Sequence, residues 1–303
     1  MRIAVTGATG IVGRFVVARL HAEGAAIRAL VRPTSERIGL PSEARYVVGD
    51  INDGAALGEL VEDMDAVVHC AYAHAPGRYR GGEAEDRFAF WRTNLLAGVG
   101  LMERARMAGV RRLVLLSSRA VFGGDTGAVD WVDDDTRPVP DTHYGALKLA
   151  LEAHVSAFSS ADDVCYTSLR PTGVYGVTQP VENSKWFDLA RAIASGAALP
   201  PARLGTEVHG ADVANAVWLL LTSPEEAVAG QAFNCADLML DSREVMARLA
   251  QQLGRPVHLP DPAPNRVRHP MRTTGLQALG WKPGGKERLA WTISELAESV
   301  LGT

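Results

Sequence analysis

Short, unbroken apolar runs alternate with stretches of helical spacing through the first two-thirds of the chain. RIAVTG (2–7), AIRALVR (26–32), ARYVVGD (44–50), DAVVHCA (65–71), RRLVLLSS (111–118) and CYTSLRP (165–171) read as strands. Between them, IVGRFVVARLHAEG (11–24), GAALGELVED (54–63), a long stretch at 87–108 and THYGALKLALEAH (142–154) space apolar residues as a helix does. A strand that is apolar on both sides must be covered on both sides. Such strands separated by helices predict a doubly wound α/β fold with a parallel sheet. After residue 171 proline and glycine become denser, and the helical stretches 184–195, 211–222, 242–253 and 286–300 predominate. This predicts a first domain over 1–171 and a smaller, mostly helical C-terminal lobe over 172–303, some of whose strands and helices rejoin the first domain.

Composition narrows the classes. The 303 residues are 47% hydrophobic and 22% charged, an ordinary globular balance. A net charge of -4 argues against a nucleic-acid partner. The longest apolar runs, such as AVWLLL (216–221), are too short to cross a bilayer. The opening MRIAVTGATG meets glycine too early for a secretory signal. Cys70, Cys165 and Cys235 are scattered, without metal-ligand spacing, and read as buried free thiols. No metal and a reducing, cytoplasmic setting are the expectations.

TGATGIVG follows the first strand directly and opens the first helix. Gly7 permits the tight turn, Gly10 lets the backbone approach a pyrophosphate, and Gly13 lets helix and sheet pack closely. The helix N-terminus then faces the phosphates. This predicts a Rossmann dinucleotide site formed by Gly7, Thr9, Gly10, Ile11, Val12 and Gly13. At the end of the second strand an acid would serve the ribose hydroxyl of NAD, whereas arginine suits the 2′-phosphate of NADP. LVRPTSER places Val31 where the acid would sit, then Arg32, with no carboxylate before Glu36. NADP is therefore the expected cofactor, with NAD the other candidate.

Further motifs follow in order: GDIND (49–53), VVHCAY (67–72), TNLLAG (93–98), LLSSRAVFG (115–123), PDTHYGALK (140–148), LRPTGVYG (169–176), VHGADVANAV (208–217) and LGWKP (279–283). Together they resemble the extended short-chain dehydrogenase/reductase family of nucleotide-sugar epimerases, dehydratases and reductases, over almost the whole length. The resemblance implies that Asp50 and Ile51 meet adenine, and that Cys70, Ala71 and Pro171 lie along the cofactor. Asn94 would be the family's helix asparagine. Ser118, Tyr144 and Lys148 would be the catalytic residues. Tyr144 and Lys148 stand one turn apart on one helix face. Hydride transfer at a carbonyl or hydroxyl carbon needs an acid or base for the oxygen's proton. A phenol of pKa near ~10 is a poor base until a neighbouring ammonium lowers it. In the family the lysine also holds the nicotinamide ribose, so Tyr144 and Lys148 count as cofactor residues too. Ser118 would orient the substrate oxygen.

Tyr72, His74 and Arg80 in the loop after the fourth strand, with Arg119 and Trp186, are the candidate substrate contacts. His143 would line the cleft. His69 reads as a packed strand residue, and Ser117 as structural. Asp212 reads as the cap of the next helix, and VDDD (132–135) as a solvated loop. The chain departs from the family at Phe122 (usually tyrosine), Gly173 (often asparagine) and PPARLGTE (200–207), where Arg203 is the one basic residue. These departures favour a small carbonyl, polyol or sugar substrate over a nucleotide sugar. The leading expectation is an NADP-linked reductase or dehydrogenase. Its rivals are an epimerase or dehydratase with tightly held NAD, and a non-catalytic dinucleotide-binding regulator, which retention of all three catalytic residues opposes. The resemblance also implies a homodimer through a four-helix interface of 87–108 and 143–158.

Overall fold

Six strands form where the apolar runs predict them: β1 (Arg2–Thr6), β2 (Ala26–Val31), β3 (Arg45–Val48), β4 (Ala66–His69), β5 (Arg112–Leu116) and β6 (Cys165–Pro171). The computed structural model describes residues 1–74, 86–124, 130–264 and 270–302. Two short strands, β7 (Gly173–Tyr175) and β8 (Leu204–His209), precede β9 (Ala232–Cys235) and β10 (Leu238–Asp241). The large sheet has the order β3-β2-β1-β4-β5-β6-β9, parallel throughout. β9, at residues 232–235, therefore pairs with β6 and extends the large sheet at that edge.

The helices are α1 (Ile11–Ala22), α2 (Gly54–Val61), α3 (Arg87–Trp91), α4 (Ala97–Met107), α5 (His143–Ala161), α6 (Phe187–Ser195), α7 (Gly210–Thr222), α8 (Glu225–Val228), α9 (Ser242–Gln252), α10 (Thr274–Ala278) and α11 (Gly285–Leu301). Strand residues alternate between two cores, as a two-residue period demands. Ile3, Val5 and Val114 meet Val17, Leu20 and Val217 of α1 and α7. Ala4, Val67 and Leu113 meet Leu57, Leu101, Leu147 and Leu151 of α2, α4 and α5. Each fully buried leucine here contributes on the order of 1.5–3 kcal/mol. A third core joins α6, α9 and α11 around Phe187, Leu249 and Leu296. Among the described residues no helix is long and apolar enough to cross a membrane.

The stretch 87–108 forms the one long helical run its spacing predicts, with a π-helical turn (Arg92–Leu96) set between α3 and α4. Three local readings are corrected. Helix α6 begins at Phe187, after a turn in which Trp186 takes a left-handed conformation (φ 71). VDDD is not simply solvated: Asp134 accepts from the amides of Asn234 (2.6 Å) and Gly275 (3.3 Å). Asp212 does not cap α7. His209 does, through Nδ1 accepting from the Ala211 amide (3.0 Å), while buried Asp212 accepts from the Gly284 amide (3.0 Å) before α11. The lobe also carries a three-stranded sheet, β10-β8-β7, beside its helices.

Candidate active site

The chain runs outward from β1 to β2 and β3, then crosses back so that β4 pairs with β1 on its other side. At this reversal the connections diverge and leave a crevice at the strands' carboxyl ends, where an open α/β sheet binds its ligand. The glycine loop occupies it. Gly7 has φ 70, and a Cβ there would stand 2.6 Å from the Ala71 amide nitrogen. A Cβ at Gly13 would stand 2.0 Å from the Gly7 carbonyl oxygen. Both glycines are required by the protein itself.

Gly10 is different. It is exposed, and the nearest atom to a Cβ there would be the Gly7 carbonyl oxygen at 3.4 Å. Among the described residues nothing demands glycine at this position, so the open space suits a ligand that must approach the backbone. Gly10 caps α1 without a side-chain hydrogen bond, and the first turn carries no acid. The amides of Ile11, Val12 and Gly13 thus face outward at the positive end of the helix dipole. A dinucleotide pyrophosphate fits this donor set. At the end of β2, Arg32 is exposed, and Asp50 beyond β3 accepts from the Asn52 backbone and side-chain amides (3.0 and 2.6 Å), with Ile51 beside it.

Under the crevice His69 is buried, its Nδ1 2.7 Å from the Thr6 hydroxyl, and burial with the Lys148 charge pushes its pKa down to about 3. It is a neutral packing residue. Desolvation pushes the neighbouring Cys70 thiol up to about 12. Asn94, on the π turn, accepts from the Ala73 amide (2.8 Å) and donates to the Ala73 and Phe90 carbonyls (2.9 and 3.0 Å). This brace holds the segment after β4 so that Tyr72 lies 4.8 Å from the Tyr144 ring, with His74 stacked on Tyr72 at 5.3 Å. His143 meets Trp91 edge-on at 5.9 Å. Arg80 lies outside the described residues.

Helix α5 carries Tyr144 and Lys148. Thr142 caps it by accepting from the Gly145 amide (3.0 Å). Gly145 lets it close on the turn after β5, since a Cβ there would stand 2.3 Å from the Ala120 carbonyl oxygen. Lys148 is 4% exposed and donates to the Leu116 carbonyl (2.6 Å) at the end of β5. Burial lowers its pKa to about 8, with interactions of Cys70 and Glu152 opposing that fall. Its Nζ lies 5.6 Å from the Tyr72 ring centre and 5.9 Å from that of Tyr144. Ser118 caps the 3-10 turn Arg119–Phe122 by accepting from the Ala120 amide (3.1 Å). That bond uses a lone pair and leaves the hydroxyl proton to give.

Ser117 turns the other way and donates to Glu152, which also takes a bidentate bond from Arg170; both charged side chains are 6% exposed. Arg170 continues to the Asp134 carbonyl (2.9 Å). Pattern reasoning missed this buried network, whose signal was a charged residue inside the apolar strand CYTSLRP.

The remaining candidates separate. Arg119 is buried, donating to the Gly123 carbonyl at 3.3 Å. Pro171 ends β6 and is buried. Trp186 lies on the lobe, stacked 5.1 Å from the Tyr175 ring. Beside it Lys185 pairs with Glu207, whose carboxyl is pushed up by burial and pulled back by that lysine. A Cβ at Gly173 would stand 2.4 Å from Glu207 Oε2, so this carboxylate fills the space of a side chain at 173. The Arg203 side chain is exposed.

A glycine loop at the sheet's switch point, with tyrosine and lysine one turn apart on the helix anchored at the carboxyl end of β5, is the arrangement of the short-chain dehydrogenase/reductase class. The sequence profile of the NAD dependent epimerase/dehydratase family matches residues 3–236, and the chain belongs to that family. Among curated relatives, a UDP-glucose 4-epimerase of Corynebacterium glutamicum is 29% identical over 179 residues, 58% of this chain and 52% of that protein. The match thus spans about half the length of that relative. A dTDP-6-deoxy-L-talose 4-dehydrogenase (NAD(P)(+)) of Kitasatospora kifunensis is 28% identical over 319 residues, covering 98% of this chain and 96% of that one. The solved UDP-glucose 4-epimerase of Thermus thermophilus, in complex with NAD, superimposes with a TM-score of 0.78 at 25% identity, covering 98% and 99% of the two chains.

Proposed function

We propose that this enzyme oxidises or reduces a hydroxyl or carbonyl carbon of a small carbonyl, polyol or sugar substrate, using Ser118, Tyr144 and Lys148. The observation that carries the reading is Lys148: buried, tied to the end of β5 through Leu116, and one turn from Tyr144. The nicotinamide dinucleotide, when bound, supplies or accepts the hydride. Tyr144 takes or gives the proton at the substrate oxygen. Lys148 lowers the cost of the phenolate and donates to the ribose of the dinucleotide. Ser118 donates its free proton to the same substrate oxygen and fixes its direction. Gly7, Thr9, Gly10, Ile11, Val12 and Gly13 would hold the pyrophosphate, with Asp50 and Ile51 at adenine and Cys70, Ala71 and Pro171 along the nicotinamide half. Tyr72, tilted against Tyr144, and His74, stacked on Tyr72, would meet the substrate. Arg32, with no acid on β2 to compete, supports a preference for NADP.

The Tyr144→Phe variant should lose about 10²- to 10⁴-fold in turnover while its dinucleotide affinity stays nearly unchanged. Full turnover in that variant would sink the mechanism.

A second reading is supported by the relatives themselves: a nucleotide-sugar epimerase, whose product leaves at the oxidation level at which the substrate entered. The Lys185–Glu207 pair beside Gly173, and the lack of arginine on β8, weigh against a diphosphate in the lobe. Denaturing the purified protein and weighing the released nucleotide separates the two readings. Near-stoichiometric NAD favours the epimerase, whereas an empty protein that prefers NADPH favours the reductase. We also infer a homodimer, with the continuous α3–α4 run and α5 of each copy forming the four-helix interface.

A further inference from the structure

Arg14, in the first helical turns after the glycine loop, is 7% exposed. Among the described residues no carboxylate lies within ion-pair distance of it. A buried guanidinium needs its donors satisfied, and here all three nitrogens reach backbone carbonyls. Nε donates to Thr9 of the glycine loop (3.1 Å), Nη2 to Glu36 (2.8 Å) and Nη1 to Ile38.

Glu36 and Ile38 belong to the segment between β2 and β3, which has neither helix nor strand and begins with Arg32. Its local backbone bonds are three turns: Ser35 amide to Arg32 carbonyl (2.9 Å), Leu40 amide to Arg37 carbonyl (3.0 Å) and Ala44 amide to Pro41 carbonyl (3.3 Å). Its far end is pinned by the Tyr46 hydroxyl on the Pro41 carbonyl (2.7 Å), with Arg37 over the Tyr46 ring at 4.9 Å. Its middle is held by Arg14 alone among the described side-chain hydrogen bonds.

We propose that Arg14 is the positioning residue for cofactor choice. It ties the loop bearing Arg32, Ser35 and Arg37 to the glycine loop, so that these side chains stand at a fixed reach from the adenosine ribose. A lysine cannot replace it, because one ammonium cannot span carbonyls on two separate loops as a planar fork does. The inference rests on the dinucleotide reading above and extends it to a residue whose three nitrogens are all bonded to backbone carbonyls.

The test is calorimetric binding of ADP-ribose and 2′-phospho-ADP-ribose to the full chain carrying Arg14→Lys, Arg14→Gln, Arg32→Ala, or Arg14→Lys with Arg32→Ala. The Arg14 variants should weaken the phosphorylated ligand about tenfold more than the plain one, the loss of a charge-assisted contact. Because Arg14 acts through Arg32, the double variant should be no worse than Arg32→Ala. A wild type that binds both ligands alike overturns the 2′-phosphate reading, and with it this role. A wild-type preference whose losses add in the double variant, or Arg14 variants that weaken both ligands equally, overturns the Arg14 proposal alone.

Discussion

Lys148 shows how burial and chemistry meet in one side chain. Its ammonium is desolvated, so its pKa falls from the ordinary 10.5 to about 8, and its hydrogen bond to Leu116 keeps the charged form in place. Between those two values the folded chain has released a proton that the unfolded chain still holds. Proton linkage then makes stability rise with pH across that window. Under the role proposed for Lys148, binding moves the other way, because a neutral amine is a poorer partner for a ribose hydroxyl and a phenolate. Dinucleotide affinity should therefore decline above about pH 8 while the free energy of unfolding climbs, and Lys148→Met should abolish the decline. Titrating cofactor fluorescence against pH alongside urea unfolding checks both signs, and a flat affinity profile would refute the assignment. The tyrosine–lysine spacing is a local property of a helix and was legible in the chain. Tyr72 against Tyr144 was not, because Asn94 achieves it through a brace 21 residues from its partner Ala73.

At the scale of elements, α5 owes its position to a missing atom. Helix propensity favours alanine over glycine by about 1 kcal/mol. At position 145, however, a Cβ would meet the Ala120 carbonyl at 2.3 Å, and backbone cannot swing aside as a flexible side chain does. Overpacking of this kind costs about 1–3 kcal/mol, so the clash wins. The displacement would separate Tyr144 from Ser118, where an ångström matters to the chemistry. Gly145→Ala should lower stability in urea and cut turnover more than tenfold (roughly, by the positional argument). Wild-type values for both would show that this contact does not seat the helix. Most elements were readable because burial imposes a period: two for the strands, near four for α1, α5 and α7. The π turn was not readable. RTNLL has nothing unhelical about it, and the distortion accompanies an Asn94 side chain that bonds the backbone of another segment. His209 likewise displaced Asp212 as the cap of α7, because tertiary packing carried the acid towards α11 instead.

For the whole molecule, the return of β9 to the sheet and the packing of α7 on α1 bind the lobe to the dinucleotide half. The buried Glu152–Arg170 pair extends that union, linking α5, β6 and the Asp134 segment that in turn holds β9. The outer surface of the helical layer leaves Phe88 89% exposed and Leu96 64% exposed, large apolar residues that a second copy would cover. Phe88→Asp should shift the proposed homodimer to monomer in sedimentation at micromolar concentration, whereas an unchanged sedimentation coefficient would place the interface elsewhere. The amino-acid sequence by itself determined the parallel sheet, the glycine loop and the tyrosine–lysine pair, because each depends on periodicity or on residues a few positions apart. Only the tertiary structure decided that Gly10 is open where Gly7 and Gly13 are packed, that Asp134 is a buried tie, that Arg14 straps two loops, and that Glu207 fills the space beside Gly173. Those relations join positions far apart in the chain, and a pattern carries no distance between them until the chain has closed on itself.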